Sequence, residues 1–199
     1  MQTANLAWRL VWESHVLPEL KSSLQNLHPA PQLLNRLEKE GYSISNRSMV
    51  FVIGGGASTT GPSGLPPMLA ELKRLKPADS NLFPIIFTPH SYRDKTDEHK
   101  ARGRAIFRST MDRLLNIFND LHFDQPYGVN GYRIKLQDQL FDHIFFVDGS
   151  LSGGRGQLQT DQLGDIVAKF LFKLITSSVG EHFLGTIGNL NSGLREEAA

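Results

Sequence analysis

The residues best suited to chemistry form one glycine-rich segment that follows a short apolar run. Residues 49–53 are all apolar, and the next eleven read Gly54-Gly55-Gly56-Ala57-Ser58-Thr59-Thr60-Gly61-Pro62-Ser63-Gly64. Glycines let the main chain approach a ligand closely, and the free N–H groups at a helix start attract anions. The candidate phosphate-binding residues are therefore Gly54, Gly55, Gly56, Thr60, Gly61, Ser63 and Gly64.

A helix is predicted directly after this segment. Its apolar positions recur at spacings of three and four, which makes one buried face: Leu65, Met68, Leu69, Leu72 and Leu75. Ser63 occupies the expected N-cap position, and Pro66 and Pro67 fall in the first turn. The order of strand, glycine loop and helix favours a phosphate site, although connections that bind no ligand also use glycines.

Two common phosphate-binding motifs do not fit the segment. No lysine follows the last glycine, which excludes the P-loop pattern GxxxxGK[ST]. The GxGxxG spacing of dinucleotide-binding folds is absent, and no acidic residue ends a second strand about 20 residues further on.

Composition predicts one globular domain of 199 residues, with 40% hydrophobic and 21% charged residues. The net charge of +1 gives no reason to expect nucleic acid or an anionic membrane as a partner. Absence of cysteine excludes disulfides and cysteine metal sites. No signal peptide or membrane-spanning apolar run is recognisable. We therefore expect a cytoplasmic protein with no membrane span and no protein-built metal site.

Apolar patterns predict the other elements. Helices are expected over residues 6–24, broken near Pro18, around 33–37, over 97–118, and from 163 to 175. The last is apolar over a wide arc, so it should lie against the sheet or under a neighbouring domain. Strands are expected at 82–88, around 132–136 and at 141–147. Pro84 favours the start of its strand or an edge position, because proline lacks an N–H.

Strands that alternate with helices predict the α/β class, with a parallel sheet flanked by helices. The expected division is an N-terminal helical segment at 1–47, an α/β domain at 48–190 and a flexible tail at 191–199. Ligands of such sheets bind beyond the carboxyl ends of the strands. This rule places the glycine loop, residues 88–93, residues 148–150 and Asp161 on one rim.

The glycine-rich segment also resembles the phosphate-binding loop of the tubulin and FtsZ superfamily, whose usual form is GGGTGSG. Ala57, Ser58 and Thr59 form an insertion relative to that loop, and Pro62 interrupts its second half. The resemblance covers about residues 48–180 and is closest to the divergent tubulin-like proteins of bacteria.

Further residues carry the resemblance along the chain. Thr88-Pro89 is similar to the family's Thr-x-Pro-Phe loop, and the resemblance implies that Glu98 and Arg102 contact the ribose. It also places Asp148 or Ser150 near the base. Counting back from the Leu-Ile-Thr sequence at residues 174–176 implies that Asp161 contacts guanine. Each also has a structural alternative: a helical ion pair for Glu98 and Arg102, a turn cap for Asp148, and a helix-dipole interaction for Asp161.

The resemblance implies GTP or GDP as ligand, with Mg²⁺ held mainly by phosphate and water, and self-association or a larger protein assembly. It implies the nucleotide-binding domain of tubulin and FtsZ without its first strand and first glycine loop, since neither is recognisable before Met49. The hydrolysis pattern Asn-x-Asp is absent from residues 180–191, so a GTPase remains uncertain and its catalytic residues unknown.

Two alternatives stay open at this point. One is a non-catalytic, tubulin-like assembly subunit that no longer binds nucleotide. The other is an unrelated α/β enzyme that acts on a phosphorylated small molecule and uses His90 on the same rim. The sequence offers His90 no carboxylate partner at a recognisable spacing, and His143 falls within a predicted strand.

Overall fold

The computed structural model describes residues 2–26, 31–41, 48–92, 96–150, 158–180, 182–183 and 185–187. The helices and strands, in chain order, are α1 Gln2–Val11, α2 Leu17–Gln25, α3 Pro31–Lys39, β1 Met49–Gly55, α4 Thr60–Leu75, β2 Asn81–Phe87, α5 Asp97–Asp120, β3 Phe123–Pro126, β4 Arg133–Leu136, β5 Phe145–Val147 and α6 Thr160–Thr176. The predicted tail at 191–199 lies outside the described residues.

Three of the strands form a parallel sheet in the order β1-β2-β5, which confirms the predicted α/β class. Seven residue pairs join β1 to β2, from Met49 opposite Asn81 to Gly55 opposite Phe87. The shorter β5 pairs with the last three residues of β2. Because all three strands run in the same direction, their carboxyl ends share one rim.

Helices cover both faces of this sheet. On one face, Leu82 and Ile86 of β2 join a buried cluster with residues of α4 and α5, among them Leu69 and Leu114. On the other face, Phe83 and Ile85 of β2 are fully buried. There, an aromatic group links the sheet to α6 and to the helical residues that follow it: Phe83, Phe145, Phe170 and Phe183.

The predicted N-terminal helix is present, and its break has a clear form. A π-helical stretch, Trp12–Val16, separates α1 from α2, and the Leu17 N–H bonds to the Trp12 carbonyl. The wider turn lies directly before Pro18, which has no N–H to continue a regular helix. Trp12 is fully buried in the same cluster as Leu69.

Pro84 lies in the central strand, so the prediction of a strand start or an edge position was wrong. The hydrogen bonds explain why the strand tolerates it. Asn81 N donates to Ser48 O on the β1 side, whereas Thr88 N donates to Val147 O on the β5 side, so residues with even numbers face β5. Pairing with β5 begins only at Ile85, and the missing N–H of Pro84 therefore falls just outside that ladder.

The third predicted core strand is shorter than residues 141–147, because only Phe145–Val147 pair with β2. The Asp142 carboxylate accepts the Leu82 N–H at 2.7 Å, where a strand would have supplied a carbonyl. Its other oxygen lies 3.3 Å from Lys73 Nζ.

The segment of residues 121–140 also differs from the prediction, because it holds two strands, the antiparallel pair β3 and β4, instead of one.

Only one side of α6 is buried, so the prediction that its wide apolar arc lies against the sheet holds for part of the helix. Leu163, Val167 and Leu174 are buried, whereas Phe172 and Ile175 remain mostly exposed.

Among the described residues, no helix combines the length and the apolar character needed to cross a membrane.

A prediction concerns Gly64, where α1 contacts α4. A Cβ at this position would lie 2.5 Å from Trp8 Cε2, and Trp8 Nε1 donates to Thr60 O at 3.0 Å. Gly64→Ala should therefore lower the free energy of unfolding by about 1–3 kcal/mol, as overpacking does. The measurement is urea denaturation.

Gly164→Ala in α6 is the matched control, because a Cβ there meets nothing within 4 Å. Replacing a helical glycine by alanine should raise the stability by about 0.5–1 kcal/mol. A Gly64→Ala protein as stable as the native one would show that Trp8 does not constrain this position.

Candidate functional site

The candidate site lies at the carboxyl ends of the three parallel strands. The glycine-rich loop follows β1, residues 88–92 follow β2, and Asp148 follows β5. A hydrogen bond from Leu158 N to Gly149 O, 2.8 Å long, holds the segment before α6 at the end of β5. The sheet thus brings the segments that the sequence placed on one rim to the same end of the molecule.

The glycine-rich segment is divided between β1, a short bend and α4. Gly54 and Gly55 belong to β1, and Gly56 N donates to Phe87 O at 2.9 Å. The helix begins at Thr60, so Thr60, Gly61, Ser63 and Gly64 are helical. Ser63 is therefore not the N-cap that the sequence predicted.

The true helix start explains the role of Ser63. Thr59 is the N-cap, and the Ser63 hydroxyl donates to the Thr59 carbonyl at 2.7 Å. Gly61 N lies 3.3 Å from Ser58 Oγ, which caps the first turn. Pro62 lacks an N–H and suits the first turn, where the sequence had placed Pro66 and Pro67.

Four of the glycines sit where a side chain would collide with the protein itself. A Cβ on Gly55 would meet the Tyr92 hydroxyl, and one on Gly61 would meet the Gly55 carbonyl. At Gly56 a Cβ would lie 2.6 Å from the Phe107 ring and 2.8 Å from Ile86, and at Gly64 it would meet Trp8. Gly54 has no atom within 4 Å of such a Cβ. Internal packing is therefore sufficient to require these four glycines.

A cavity of about 220 Å³ lies between the bend and the start of α5. Its walls come from three segments that are distant in sequence: Ala57, Ser58, Pro89, Tyr92, His99, Lys100 and Gly103. Gly103 packs against Ala57, since a Cβ there would lie 3.3 Å from the alanine methyl carbon. The Lys100 ammonium lies 3.6 Å from Asp97 Oδ1 and supplies positive charge beside the cavity.

Glu98 and Arg102, implied as ribose contacts, are exposed on α5 and are not among the cavity residues. Their neighbours His99, Lys100 and Gly103 line it instead, because a helix turns about 100° per residue. Asp161 is exposed in the first turn of α6, and its Oδ1 accepts the Gln162 N–H at 2.9 Å. The structure therefore gives Asp161 a local capping contact.

Asp148 is the acceptor at the centre of a polar cluster. Thr88 Oγ1 donates to its Oδ2 at 3.1 Å, His90 Nδ1 lies 3.2 Å from the same oxygen, and Ser150 N donates to Oδ1 at 2.7 Å. Burial alone would raise the pKa of Asp148, but the hydrogen bonds from Ser150, His90 and Thr88 outweigh it and lower the pKa to about 2. The carboxylate is therefore ionised near neutral pH.

The Asp148 carboxylate also determines what His90 can do. An ionised carboxylate accepts hydrogen bonds only, so His90 Nδ1 carries a proton toward it. In the neutral ring Nε2 is then the free acceptor, and the side chain is half exposed. The fold thus gives His90 a carboxylate partner, Asp148, that no recognisable sequence spacing indicated.

Sequence reasoning missed Tyr92, His99, Lys100 and the pairing of His90 with Asp148. Tyr92 and His90 fell within the segment that the strand-end rule had selected, but that rule does not give strand order. The pairing depends on β5 lying next to β2, which brings together residues 58 positions apart. The helical period alone could not show whether Glu98 or His99 faces the cavity.

Comparison of the chain with protein-family models, with curated proteins and with solved structures finds no match. Among the described residues, no group of three or more His, Cys, Asp or Glu side chains could hold a metal ion.

A pH prediction follows from Asp148. Its pKa is about 2 in the folded chain against an ordinary value of 3.8, so its stabilising contribution is complete above about 3.8. That contribution is lost as the pH falls toward about 2, because the unfolded state then binds the proton first. The difference in unfolding free energy between the native protein and Asp148→Asn should therefore shrink between pH 6 and pH 3. Urea denaturation of both proteins at each pH measures it.

Thr88→Val removes one of the hydrogen bonds that lower the pKa of Asp148, so its effect should be intermediate between the native protein and Asp148→Asn. Its loss of stability relative to the native protein should also be smaller at pH 3 than at pH 6. Equal differences for Asp148→Asn at the two pH values would contradict the assignment.

Proposed function

We propose that this chain is a tubulin-like, guanine-nucleotide-binding module that takes part in subunit assembly. The observation that supports this best is the rim, where the glycine-rich bend, the loop after β2 and the start of α5 enclose one cavity. These segments follow one another along the chain in the order that the resemblance to tubulin and FtsZ implies. The proposed ligand is GTP or GDP, bound through its phosphates.

The physical case for phosphate rests on the start of α4 and on Lys100. The Thr59 side chain, in the described part of the chain, makes no capping hydrogen bond to α4, whereas Ser58 Oγ lies 3.3 Å from Gly61 N. The partial positive charge of a helix start favours an anion nearby. Lys100 adds a full positive charge at the cavity. The ligand best matched to these groups is a phosphate ester.

The size of the cavity limits what it can enclose. Its volume of about 220 Å³ is below the roughly 300–1,000 Å³ of pockets that bury a whole drug-sized ligand. A phosphate group fits, whereas the ribose and base would remain on the open rim. The resemblance implies that Asp148 or Ser150 lies near the base and that Asp161 contacts guanine, whose N–H donors suit carboxylates. Both oxygens of Asp148 and Oδ1 of Asp161 also accept hydrogen bonds within the chain, so a nucleotide would share or replace these.

The resemblance implies that Mg²⁺ binds mainly through the nucleotide and water, and the residues at the cavity are compatible with an ion held in that way. Phosphate oxygens and water would supply most ligands of the ion, as is usual for this metal. The bound ion would neutralise phosphate charge. We assign no hydrolytic residue, and GTP hydrolysis by this chain is not part of the proposal.

The test is isothermal titration of the native protein with GDP and Mg²⁺, repeated with Lys100→Met. Loss of one charged phosphate contact should weaken binding about tenfold, which corresponds to about 1.4 kcal/mol. Lys135→Met is the matched control, because Lys135 is exposed in β4 and is not a cavity residue. No heat with GTP or GDP, or equal weakening in both variants, would contradict nucleotide binding at this cavity. Gly55→Val and Gly56→Val are unsuitable, because both would collide with neighbouring side chains.

A second candidate function is an assembly subunit with the same shape that binds no nucleotide. The packing of Tyr92, Phe107 and Trp8 against the glycines favours it, because internal contacts already account for those residues. Sedimentation that shows self-association without nucleotide, and no change on adding GTP, would support this candidate. Association that requires GTP would exclude it.

A further inference from the structure

The outer edge of β1 is the starting observation. Within the described residues β1 pairs only with β2, so no described strand pairs with the backbone N–H and C=O groups of its other edge. Proteins usually protect such an edge with a charged residue, a proline or a bulge. The seven residues of β1, Met-Val-Phe-Val-Ile-Gly-Gly, include neither charge nor proline, and their pairing with β2 is regular.

An apolar groove runs along this open edge. Its volume is about 450 Å³, and its walls are β1 together with residues of α2 and α4, such as Leu20, Leu24 and Met68. Ser23 is the only polar side chain among the groove residues, and none is charged. The groove therefore suits an extended, uncharged, apolar segment and is unsuited to an acidic or basic peptide.

β1 itself is an extended, uncharged and apolar segment of the kind that the groove suits. Val50 and Val52 pack toward the buried cluster, whereas the ring of Phe51 lies 5.4 Å from that of Phe83 on the other face of the sheet. Ile53 is 50% exposed at the open edge. In a twofold contact each residue meets the same surface of the other copy, so a charged edge would repel itself. The uncharged edge of β1 carries no such penalty.

We infer that the occupant of this groove is β1 of a second copy of the chain. The two strands pair antiparallel around a twofold axis at Val52, and the two three-stranded sheets become one continuous sheet. The inference rests on the self-association in the proposed function and names its surface, and it requires no nucleotide.

The expected dimer is weak. Seven paired residues extend about 23 Å, and a groove about 10 Å wide along that length buries only a few hundred Å² per copy. Stable interfaces bury about 800 Å² per partner, so this contact is smaller than a stable interface and can support only weak association. We therefore expect a monomer–dimer equilibrium that depends on concentration.

Sedimentation velocity over a wide concentration series tests the inference. The native chain should pass from monomer to dimer as the concentration rises, with or without GDP. Ile53→Lys places a charge opposite the second copy and should leave a monomer throughout. Ile175→Lys is the matched control, because Ile175 is 69% exposed on α6, and it should dimerise like the native chain.

A native chain that stays monomeric at every concentration would overturn the inference, as would an Ile53→Lys protein that dimerises normally. Loss of the dimer in Ile175→Lys alone would assign the contact to α6 instead. These outcomes do not depend on nucleotide binding, so failure of the titration with GDP and failure of this inference can be told apart.

A crosslink supplies a second measurement that does not rely on a charge substitution. The chain contains no cysteine, so Val52→Cys introduces a single thiol. Directly opposed antiparallel residues have Cα atoms about 4.5–5.5 Å apart, within the range of a disulfide. Mild oxidation should give a covalent dimer with Val52→Cys and not with Val129→Cys, which is exposed between β3 and β4. Equal crosslinking of the two variants would overturn the assigned contact.

Discussion

The close approach of α4 to the end of β1 is the constraint on which the rest of the rim depends. Gly61 lies so near the Gly55 carbonyl that no side chain fits, and Gly56 bonds to Phe87 while packed under Phe107. This packing fixes the bend that forms one wall of the cavity. Ala57 and Ser58 of this bend line the same cavity as Lys100, whose ammonium supplies positive charge there.

A second consequence concerns the way the rim is held together. The loop after β2 is tied to β5 through the Asp148 carboxylate, which accepts hydrogen bonds from Thr88, His90 and Ser150. Because the carboxylate is ionised, these bonds are stronger than neutral ones. The cavity therefore lies between a rigidly packed bend and a loop held by charge-assisted hydrogen bonds, and such rigidity reduces the cost of binding a ligand.

The parts of the fold that local patterns dictate could be predicted from the sequence. β2 and α5 lie within two residues of their predicted bounds, because a continuous apolar run and a helical period define them. The start of α4, the length of β5 and the central position of Pro84 could not be predicted in this way. The start of α4 depends on local contacts of Gly61, which lies against the Gly55 carbonyl and whose N–H lies 3.3 Å from Ser58 Oγ. The other two depend on residues distant in sequence, since the Asp142 carboxylate accepts the Leu82 N–H and β5 begins to pair only at Ile85. At the site, strand ends identified the right segments, but the pairing of β5 with β2 brought Asp148 to His90, and the phase of α5 turned Lys100 toward the cavity.

The proposed phosphate site lies between the bend after β1 and the start of α5. The most direct measurement is a titration of the isotope-labelled chain with GDP and Mg²⁺, followed through the backbone amide signals in an NMR spectrum. If phosphate binds there, the largest shifts will fall on residues 57–60, 89–92 and 99–103. Shifts confined to other surfaces, or an unchanged spectrum at saturating nucleotide, would contradict it.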